Sequence, residues 1–297
     1  MTLFRLSAFL LCAALAGLAA PHAASAMASD RDVPRLKAFG GSCGGCELSG
    51  RKLAGVRFIG ANFSQATMVG SNLQGATIIG GNFSRTNLSH ADVRAAEMSG
   101  AIFVGSNLTS ANLTGASMHG VNFTDANLTG ANLTSSEAAG ATFVKADISG
   151  AAFRSAELIS ANFNAVKATG ADFRMADLTA ANLRDARLER SSFRSADLSS
   201  ANLVGAILAG SDFTGADLTR TQLRGADLSR AKGLTQDQLD EACSDGSTRL
   251  PKGLVARCNR GTAVLMIKRT APTVRVTVTP RAPTPPAPPK PPSAPRW

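Results

Sequence analysis

The sequence has few of the residues that most catalytic and nucleic-acid-binding sites require. Its 297 residues include no tyrosine, one tryptophan and three histidines. His22 lies in a segment that we expect to be removed, and neither His90 nor His119 is near a cysteine in the sequence. No Ser-His-Asp arrangement and no pair of carboxylates that would flank a cleft is recognisable. We therefore predict a protein that is not an enzyme and that needs no cofactor or metal.

Proline is absent between Pro34 and Pro251, whereas ten prolines fall between Pro272 and Pro295. This composition favours an extended, solvated backbone. Residues 261–297 also have no acidic residue but six basic ones, which are Lys268, Arg269, Arg275, Arg281, Lys290 and Arg296. We predict that residues 261–297 form a basic, proline-rich, disordered tail that binds an unknown protein or an anionic envelope polymer.

The middle of the chain has an apolar residue at every fifth position from Leu48 to Leu228. A small residue usually stands two positions earlier, and Asn, Asp, Glu, Ser or Thr usually stands one position earlier. This period fits neither common element, because residues five apart diverge by about 140° on a helix and lie on opposite faces of a strand. A chain that turns a corner every five residues satisfies it. Four corners close a square coil of 20 residues, and such coils stack as a solenoid.

The phenylalanines support a coil of 20 residues independently. One series recurs at Phe63, Phe83, Phe103, Phe123, Phe143 and Phe163, and a second at Phe153, Phe173, Phe193 and Phe213. Each series should stack as a column of rings on one inner face. The two series overlap only over residues 143–173, where Ala138 and Ala168 occupy the other two faces. We interpret these alanines as compensation for ring volume in a narrow interior.

The repeated Ala-Asn-Leu-x-x and Ala-Asp-Leu-x-x units of residues 46–230 resemble the pentapeptide-repeat family. The resemblance implies an all-β fold, a right-handed quadrilateral β-helix of about nine coils. Some members of this family mimic duplex DNA and act on DNA gyrase. Those members are strongly acidic and cytoplasmic, so this role is only the alternative hypothesis for a basic chain with an export signal.

The amino-terminal residues that precede the repeats are predicted to form an export signal and a cap. Residues 1–26 resemble a secretory signal peptide, with an apolar run and a cleavage motif at Ala24-Ser25-Ala26 or, alternatively, Ala26-Met27-Ala28. We therefore predict a bacterial protein that is periplasmic or secreted. Residues 27–45 should cap the first coil, because a solenoid exposes unpaired edges at its ends.

Residues 231–260 are predicted to form a C-terminal cap with a short helix. Thr235 has the position of an N-cap, Gln238 completes a capping box, and Leu234 and Leu239 fit a hydrophobic staple. The helix should end near Ala242 or Cys243. The sequence of this cap also resembles the ending of many exported bacterial members of the family.

Removal of the signal leaves four cysteines, two near each end of the repeats. A rod of about 40 Å would separate the ends, whereas a disulfide needs Cα atoms within about 7 Å. We therefore predict the disulfides Cys43–Cys46 and Cys243–Cys258. Reactive, metal-bound or free thiols remain alternatives, although Cys43 and Cys46 have no second ligand pair for a metal within reach.

Charged residues recur every 20 positions in the second half of the repeats. The arginines are Arg154, Arg174 and Arg194, and the acids three positions after them are Glu157, Asp177 and Asp197. We predict two facing columns of surface ion pairs at one corner. The alternative is an anion-binding patch that also includes Arg184, Arg187 and Arg190.

The first half is nearly uncharged and contains a cluster of threonines, namely Thr109, Thr114, Thr124, Thr129 and Thr134. An ordered threonine face could bind ice or polysaccharide, but β propensity explains it sufficiently. The pI of about 10 invites a nucleic-acid-binding hypothesis. Much of the excess charge lies in the tail and no aromatic residues interleave with it, so nucleic acid is an improbable partner. The leading hypothesis is an exported structural or protein-interaction module.

Overall fold

The structure is a computed structural model that describes residues 43–258. The predicted signal peptide 1–26, residues 27–42 of the predicted N-terminal cap and residues 259–297, which include the tail, lie outside the described residues. The described chain forms a right-handed quadrilateral β-helix followed by one short helix. The fold class predicted from the five-residue period is confirmed.

Each coil contributes one parallel bridge to each of four faces, and every bridge joins residues 20 positions apart along the repeats. Each unit has three extended residues followed by two turn residues. The bridged residues run from Glu47 to Asp227 on face 1, Lys52 to Lys232 on face 2, Arg57 to Asp217 on face 3, and Asn62 to Gln222 on face 4.

The β-helix extends to Cys43, which we had assigned to the N-terminal cap together with residues 44 and 45. The Cys43 N–H donates to the Asn62 carbonyl at 2.6 Å, and the Gly45 N–H donates to the Ser64 carbonyl at 2.9 Å. These are the same bonds that join later coils. The first pair of cysteines therefore belongs to the coils and does not precede them.

The unit of residues 106–110 illustrates how the backbone hydrogen bonds are satisfied. Four of its N–H groups donate to carbonyls, one across the preceding turn, one to the previous coil and two to the next coil. The fifth, that of Thr109, donates to Asn107 Oδ1 at 3.0 Å. Equivalent bonds recur in many other units with Asn or Asp at the second position. This bond explains why Asn and Asp dominate that position.

The fifth residue of every unit from Gly45 to Gly225 has a positive φ. The next N–H bonds back to the third residue, which closes a turn that requires this left-handed conformation. Glycine adopts it freely, whereas Met175 and Arg190, both with φ of 59°, adopt it against a steric cost.

Side chains at several of these corners lie toward the equivalent corner of the following coil. Arg85 Cγ would be 3.7 Å from a Cβ at Gly105, and Arg190 Cγ would be 3.5 Å from one at Gly210. Ser110 lies beside Gly130 in the same way. These are ordinary van der Waals distances, so glycine at these corners is explained by its own turn.

The apolar residues of the five-residue period fill the interior, and the predicted phenylalanine columns are confirmed. Rings 20 residues apart stack at centroid distances of 4.7–5.2 Å. Where the columns overlap, Phe143 meets Phe153 edge-on across the interior at 5.8 Å. Ala138 and Ala168 are fully buried on the remaining faces, as the volume argument predicted.

The predicted helix is present as α1, Gln236–Glu241, with Thr235 as its N-cap. The capping box is formed, because the Thr235 N–H donates to Gln238 Oε1 at 2.8 Å and the Gln238 N–H donates to Thr235 Oγ1 at 3.3 Å. The helix ends one residue earlier than expected, and Ala242 is its C-cap.

The Gln238 amide has a second role that the capping pattern did not predict. Its Nε2 donates to the Phe213 carbonyl at 3.0 Å and to the Ala216 carbonyl at 2.7 Å. These carbonyls belong to a coil whose next level is replaced by α1 at this corner. One amide group therefore joins the start of the helix to the end of the β-helix.

Residues after α1 continue the ladder and then reverse it. Cys243 bridges Gln222 on face 4, and Arg249 bridges Asp227 on face 1. Cys243 also forms an antiparallel bridge with Cys258. The parallel stack thus ends in a short antiparallel pairing.

Candidate functional site

The arginine column lies at the corner between faces 2 and 3 and pairs with acids on face 2. Arg174 Nη2 lies 2.8 Å from Asp172 Oδ2, and Arg154 Nε pairs with the same oxygen from the previous coil. Arg194 Nη1 lies 3.2 Å from Asp212 Oδ2. The column is therefore a series of ion pairs, as predicted, but with other acids.

The predicted partners Glu157, Asp177 and Asp197 belong to face 3, whereas these arginines pair with Asp172 and Asp212, so that part of the prediction was wrong. Two of these carboxylates turn toward the next corner. Asp177 accepts the Thr179 N–H at 2.9 Å, and Asp197 accepts the Ser199 N–H at 2.8 Å. Asp172 makes the equivalent bond with the Arg174 N–H at 3.2 Å, which places its carboxylate beside the arginine corner.

The pairing neutralises most of the charge of this column. Burial raises the pKa of Asp172, but hydrogen bonds from Arg174 and Arg154 outweigh it and lower the pKa to about 2. The pKa of Asp212 is also lowered, first by the Thr214 hydroxyl and also by Arg194. Three arginines and two carboxylates leave one net positive charge, which is a weak attraction for an anion.

The additional arginines do not join this column in one patch. Arg184 lies at the corner between faces 4 and 1, Arg187 lies on face 1, and Arg190 lies at the corner between faces 1 and 2. Arg184 pairs with Asp185 and Arg187 pairs with Glu189, both at 3.2 Å. The arginines of the predicted anion-binding patch are thus distributed over three successive corners.

Face 3 carries an acidic column that the sequence analysis treated only as the partner of the arginines. It consists of Glu137, Glu157, Asp177, Asp197 and Asp217 in consecutive coils. His119 Nε2 lies 3.4 Å from Glu137 Oε2. Within residues 43–258, none of the five pairs with a lysine or an arginine. The Thr219 side chain lowers the pKa of Asp217.

The clustered threonines use their hydroxyl groups internally. Thr109 Oγ1 donates to Asn107 Oδ1, and Thr124 Oγ1 donates to Asn122 Oδ1, both at 2.6 Å. Thr114, Thr129 and Thr134 bond in the same way. These threonines therefore reinforce the asparagine that closes each unit.

Both predicted cysteine pairs lie at disulfide distance. The Cα atoms of Cys43 and Cys46 are 5.4 Å apart, and those of Cys243 and Cys258 are 4.1 Å apart. Cys43 and Cys46 are half-buried and pack against the core. The second pair lies in the C-terminal cap.

A cleft of about 390 Å³ lies between the last coil and α1. The residues that line it are Arg220, Gln222, Asp240, Glu241, Ala242, Cys243 and Cys258. Arg257 Nη1 lies 3.9 Å from Asp240 Oδ1, and the Thr219 hydroxyl donates to Glu241 at 3.3 Å. No repeat pattern marks these residues, so the sequence analysis missed the cleft.

The part of the chain that the structure describes contains no group of His, Cys, Asp and Glu side chains arranged to hold a metal ion. His90 and His119 both lie on turns. Between residues 43 and 258, no helix is long and apolar enough to cross a membrane.

Solved structures with the same architecture share part of this sequence. HetL, a pentapeptide repeat protein involved in heterocyst differentiation regulation in the cyanobacterium Nostoc sp. strain PCC 7120, is 29% identical with a TM-score of 0.53. The match covers 69% of this chain and 90% of HetL. A pentapeptide repeat protein from the Arabidopsis thaliana thylakoid lumen is 35% identical over 32% of this chain and 66% of its own, with a TM-score of 0.20.

QnrB1, a plasmid-mediated fluoroquinolone resistance protein, is 21% identical with a TM-score of 0.42, and the match covers 67% of this chain and 89% of QnrB1. No curated protein sequence matches the chain. The pentapeptide repeats family matches with eight copies, over residues 42–80, 82–120, 122–158, 156–194 and 191–230. Together with the square coils, this match establishes that the chain belongs to the pentapeptide repeat family.

Proposed function

We propose that this chain is an exported, non-enzymatic interaction module. The β-helix presents rigid faces, and the tail of residues 261–297 tethers it to an anionic envelope polymer or to a partner protein. HetL, a similar pentapeptide repeat protein, is involved in heterocyst differentiation regulation, which agrees with a role in interaction.

The distribution of charge carries this proposal. Residues 43–258 contain 20 basic and 19 acidic residues, a net charge of +1. Residues 259–297 contain seven basic residues and no acidic one. A nearly neutral β-helix with a strongly basic tail concentrates attraction for anionic surfaces in the tail.

Co-sedimentation with isolated cell-wall sacculi and with vesicles containing anionic lipid tests the tether. The mature full chain is compared with a chain that ends at Asn259. A matched variant keeps the length and the prolines but replaces the six basic residues with glutamine at positions 268, 269, 275, 281, 290 and 296. We expect both altered chains to lose binding, and we expect salt to weaken binding of the full chain.

The outcomes separate the two parts of the module. Equal binding by the truncated chain would contradict the tether and transfer the role to the faces of the β-helix. Binding that survives the glutamine replacements but not the truncation would replace electrostatic tethering with recognition of a proline-rich segment by a partner protein.

The alternative, a DNA-mimicking protein that acts on a topoisomerase, is favoured by one observation, the column of carboxylates on face 3. The net charge of +1 for residues 43–258 disfavours it, since the basic residues on the other faces balance this column. A supercoiling assay with DNA gyrase and the mature chain tests it, and we expect no inhibition.

A further inference from the structure

The cleft at the carboxyl end of the β-helix makes the Cys243–Cys258 pair accessible from solution. Both cysteines line the cleft of about 390 Å³. Cys258 is exposed, whereas Cys243 is half-buried. An external thiol can therefore reach Cys258 more readily than Cys243.

The two cysteines are held by the fold to different degrees. The Cys243 N–H donates to the Thr221 carbonyl, and the Cys243 carbonyl accepts the Leu223 N–H, both at 2.8 Å. These ladder bonds fix Cys243 to the last coil. The backbone next to Cys258 is held by the bond from the Ser244 N–H to the Arg257 carbonyl at 2.9 Å.

The cleft holds charged side chains of both signs beside the cysteines. Arg220 lines the cleft and forms no ion pair within residues 43–258. Asp240 lies 3.9 Å from Arg257, whereas Glu241 accepts the Thr219 hydroxyl and keeps its negative charge. A nearby guanidinium stabilises a thiolate and so assists its departure from a disulfide.

Cys43–Cys46 provides a reference pair within the same chain. Both of its cysteines are half-buried and pack against the core. The Cys43 N–H and the Cys46 carbonyl both take part in bonds between coils. We therefore expect slower exchange at this pair.

We propose that Cys243–Cys258 is a site of thiol–disulfide exchange with a dithiol, either a small dithiol or the reduced site of a thiol–disulfide oxidoreductase. A thiolate of the dithiol attacks Cys258 Sγ and forms a mixed disulfide, while the bond between the two cysteines breaks. Cys243 leaves as a thiolate and takes a proton from water. The second thiol of the dithiol then displaces Cys258, so the dithiol is oxidised as the pair is reduced by two electrons.

Opening this pair loosens only the end of the cap. Residues 251–258 would then be held by hydrogen bonds alone. The Val255 N–H donates to Gln236 Oε1 at 3.0 Å, and the Val255 carbonyl accepts from Gln236 Nε2 at 3.2 Å. The Arg257 N–H donates to Ser244 Oγ, and the Arg257 carbonyl accepts the Ser244 N–H, both at 2.9 Å. Residues before them remain part of the ladder of the β-helix, because the Arg249 N–H donates to the Ala226 carbonyl at 2.9 Å. The end of the described cap would thus be fixed covalently in the oxidised form and released from that covalent link in the reduced form.

The test uses the mature full chain, graded dithiothreitol, quenching with N-ethylmaleimide and peptide mass spectrometry. We expect labelling of Cys243 and Cys258 about tenfold faster than labelling of Cys43 and Cys46. With glutathione in place of dithiothreitol, the mixed disulfide should form on Cys258. Equal rates at the two pairs, or an adduct on Cys243, would overturn the proposal.

Two further measurements address the release and the role of Arg220. Trypsin cleavage after Lys252 should rise about tenfold on reduction, and unchanged cleavage would contradict the release. Arg220→Gln should slow exchange at Cys243–Cys258 by about threefold and leave Cys43–Cys46 unaffected. An equal effect at both pairs would show that the arginine does not act on the leaving thiolate. These readouts do not involve binding by the tail, so they are separable from the tether.

Discussion

Asp172 accepts two hydrogen bonds from the guanidinium of Arg174, one from Nε and one from Nη2, both at 2.8 Å. Its carboxylate also pairs with Arg154 of the previous coil. The Asp172 side chain is 18% exposed, whereas Arg154 and Arg174 are 55% and 40% exposed. The pair therefore combines a partly buried acid with solvent-screened cations.

The pKa of Asp172 makes the stability of this region dependent on pH. A folded-state pKa of about 2 lies below the unfolded value, so the stabilisation is present above pH 4 and is lost as pH falls from about 4 to about 2. We expect Asp172→Asn to cost about 1 kcal/mol at pH 7, because solvent screens the arginines. Asparagine keeps an acceptor for the Arg174 N–H, so the variant isolates the charge.

Urea denaturation of the wild type and of Asp172→Asn at pH 7 and at pH 2 measures this effect. The difference between the two proteins should shrink at the lower pH. A difference of equal size at both pH values would exclude the carboxylate charge as its cause.

The asparagine that closes each unit should be needed wherever it is present. Asn107→Ala removes the acceptor for the Thr109 N–H and hydroxyl, and we expect a loss of about 1 kcal/mol in unfolding free energy. Asn107→Asp keeps the acceptor and should be milder. Thermal or urea unfolding measures both, and equal losses would contradict the assigned role of Oδ1.

The reverse substitution tests the same hydrogen bond by adding it to a unit that lacks it. Ala152 occupies the equivalent position but has no side-chain acceptor for the Arg154 N–H. Ala152→Asn should therefore stabilise the protein by about 0.5–1 kcal/mol. A destabilised variant would indicate that the Arg154 corner is already satisfied in another way.

Met175 tests the steric cost of the left-handed corners. It has a φ of 59° and is 67% exposed, so it contributes little packing. Met175→Gly should stabilise the protein by about 1 kcal/mol, because glycine adopts this conformation without strain. Met175→Ala retains the Cβ and should be nearly neutral. Equal effects of the two substitutions on the unfolding midpoint would rule out backbone strain.

Gln238 should matter more to the β-helix than a capping residue normally does. Gln238→Glu can keep the capping box but places a carboxylate against the Phe213 and Ala216 carbonyls. We expect a loss of about 1–3 kcal/mol, because the Ala216 carbonyl loses its donor and both carbonyls face the carboxylate. Hydrogen exchange should show faster opening near Ala216 with coils around Leu108 unchanged, and uniform exchange rates would oppose this assignment.

The repeat made most of the fold predictable, because one apolar residue every five positions permits few architectures. The position of Thr235 and Gln238 likewise predicted the helix start from local chemistry alone. The partner of Arg174 was not predictable in the same way. The acids three positions after each arginine, such as Glu157, lie on the next face, beyond a corner. Asp172 is identified as the partner only because each carboxylate is directed toward the turn that follows it.

The candidate site was less predictable than the fold for a physical reason. The cleft beside Arg220 forms where the repeat stops, and it depends on how α1 and the segment around Cys258 fold back on the last coil. The spacing of residues in the sequence does not predict how these segments pack against the last coil. The role of Asn107 was missed although Asn or Asp stands at the second position in 20 of the 37 repeats, since that position was treated only as polar.

The side chains of Arg85, Ser110 and Arg190 lie beside glycines that are 20 residues later in the chain. During synthesis, each of these side chains leaves the ribosome about one coil before the glycine beside which it comes to rest. In a β-helix that assembles from its amino end, these contacts exist only between completed coils. The corner side chains of the coil at the growing edge do not yet have their neighbours from the next coil. Gln238 and α1 take the place of a following coil at one corner of the last coil.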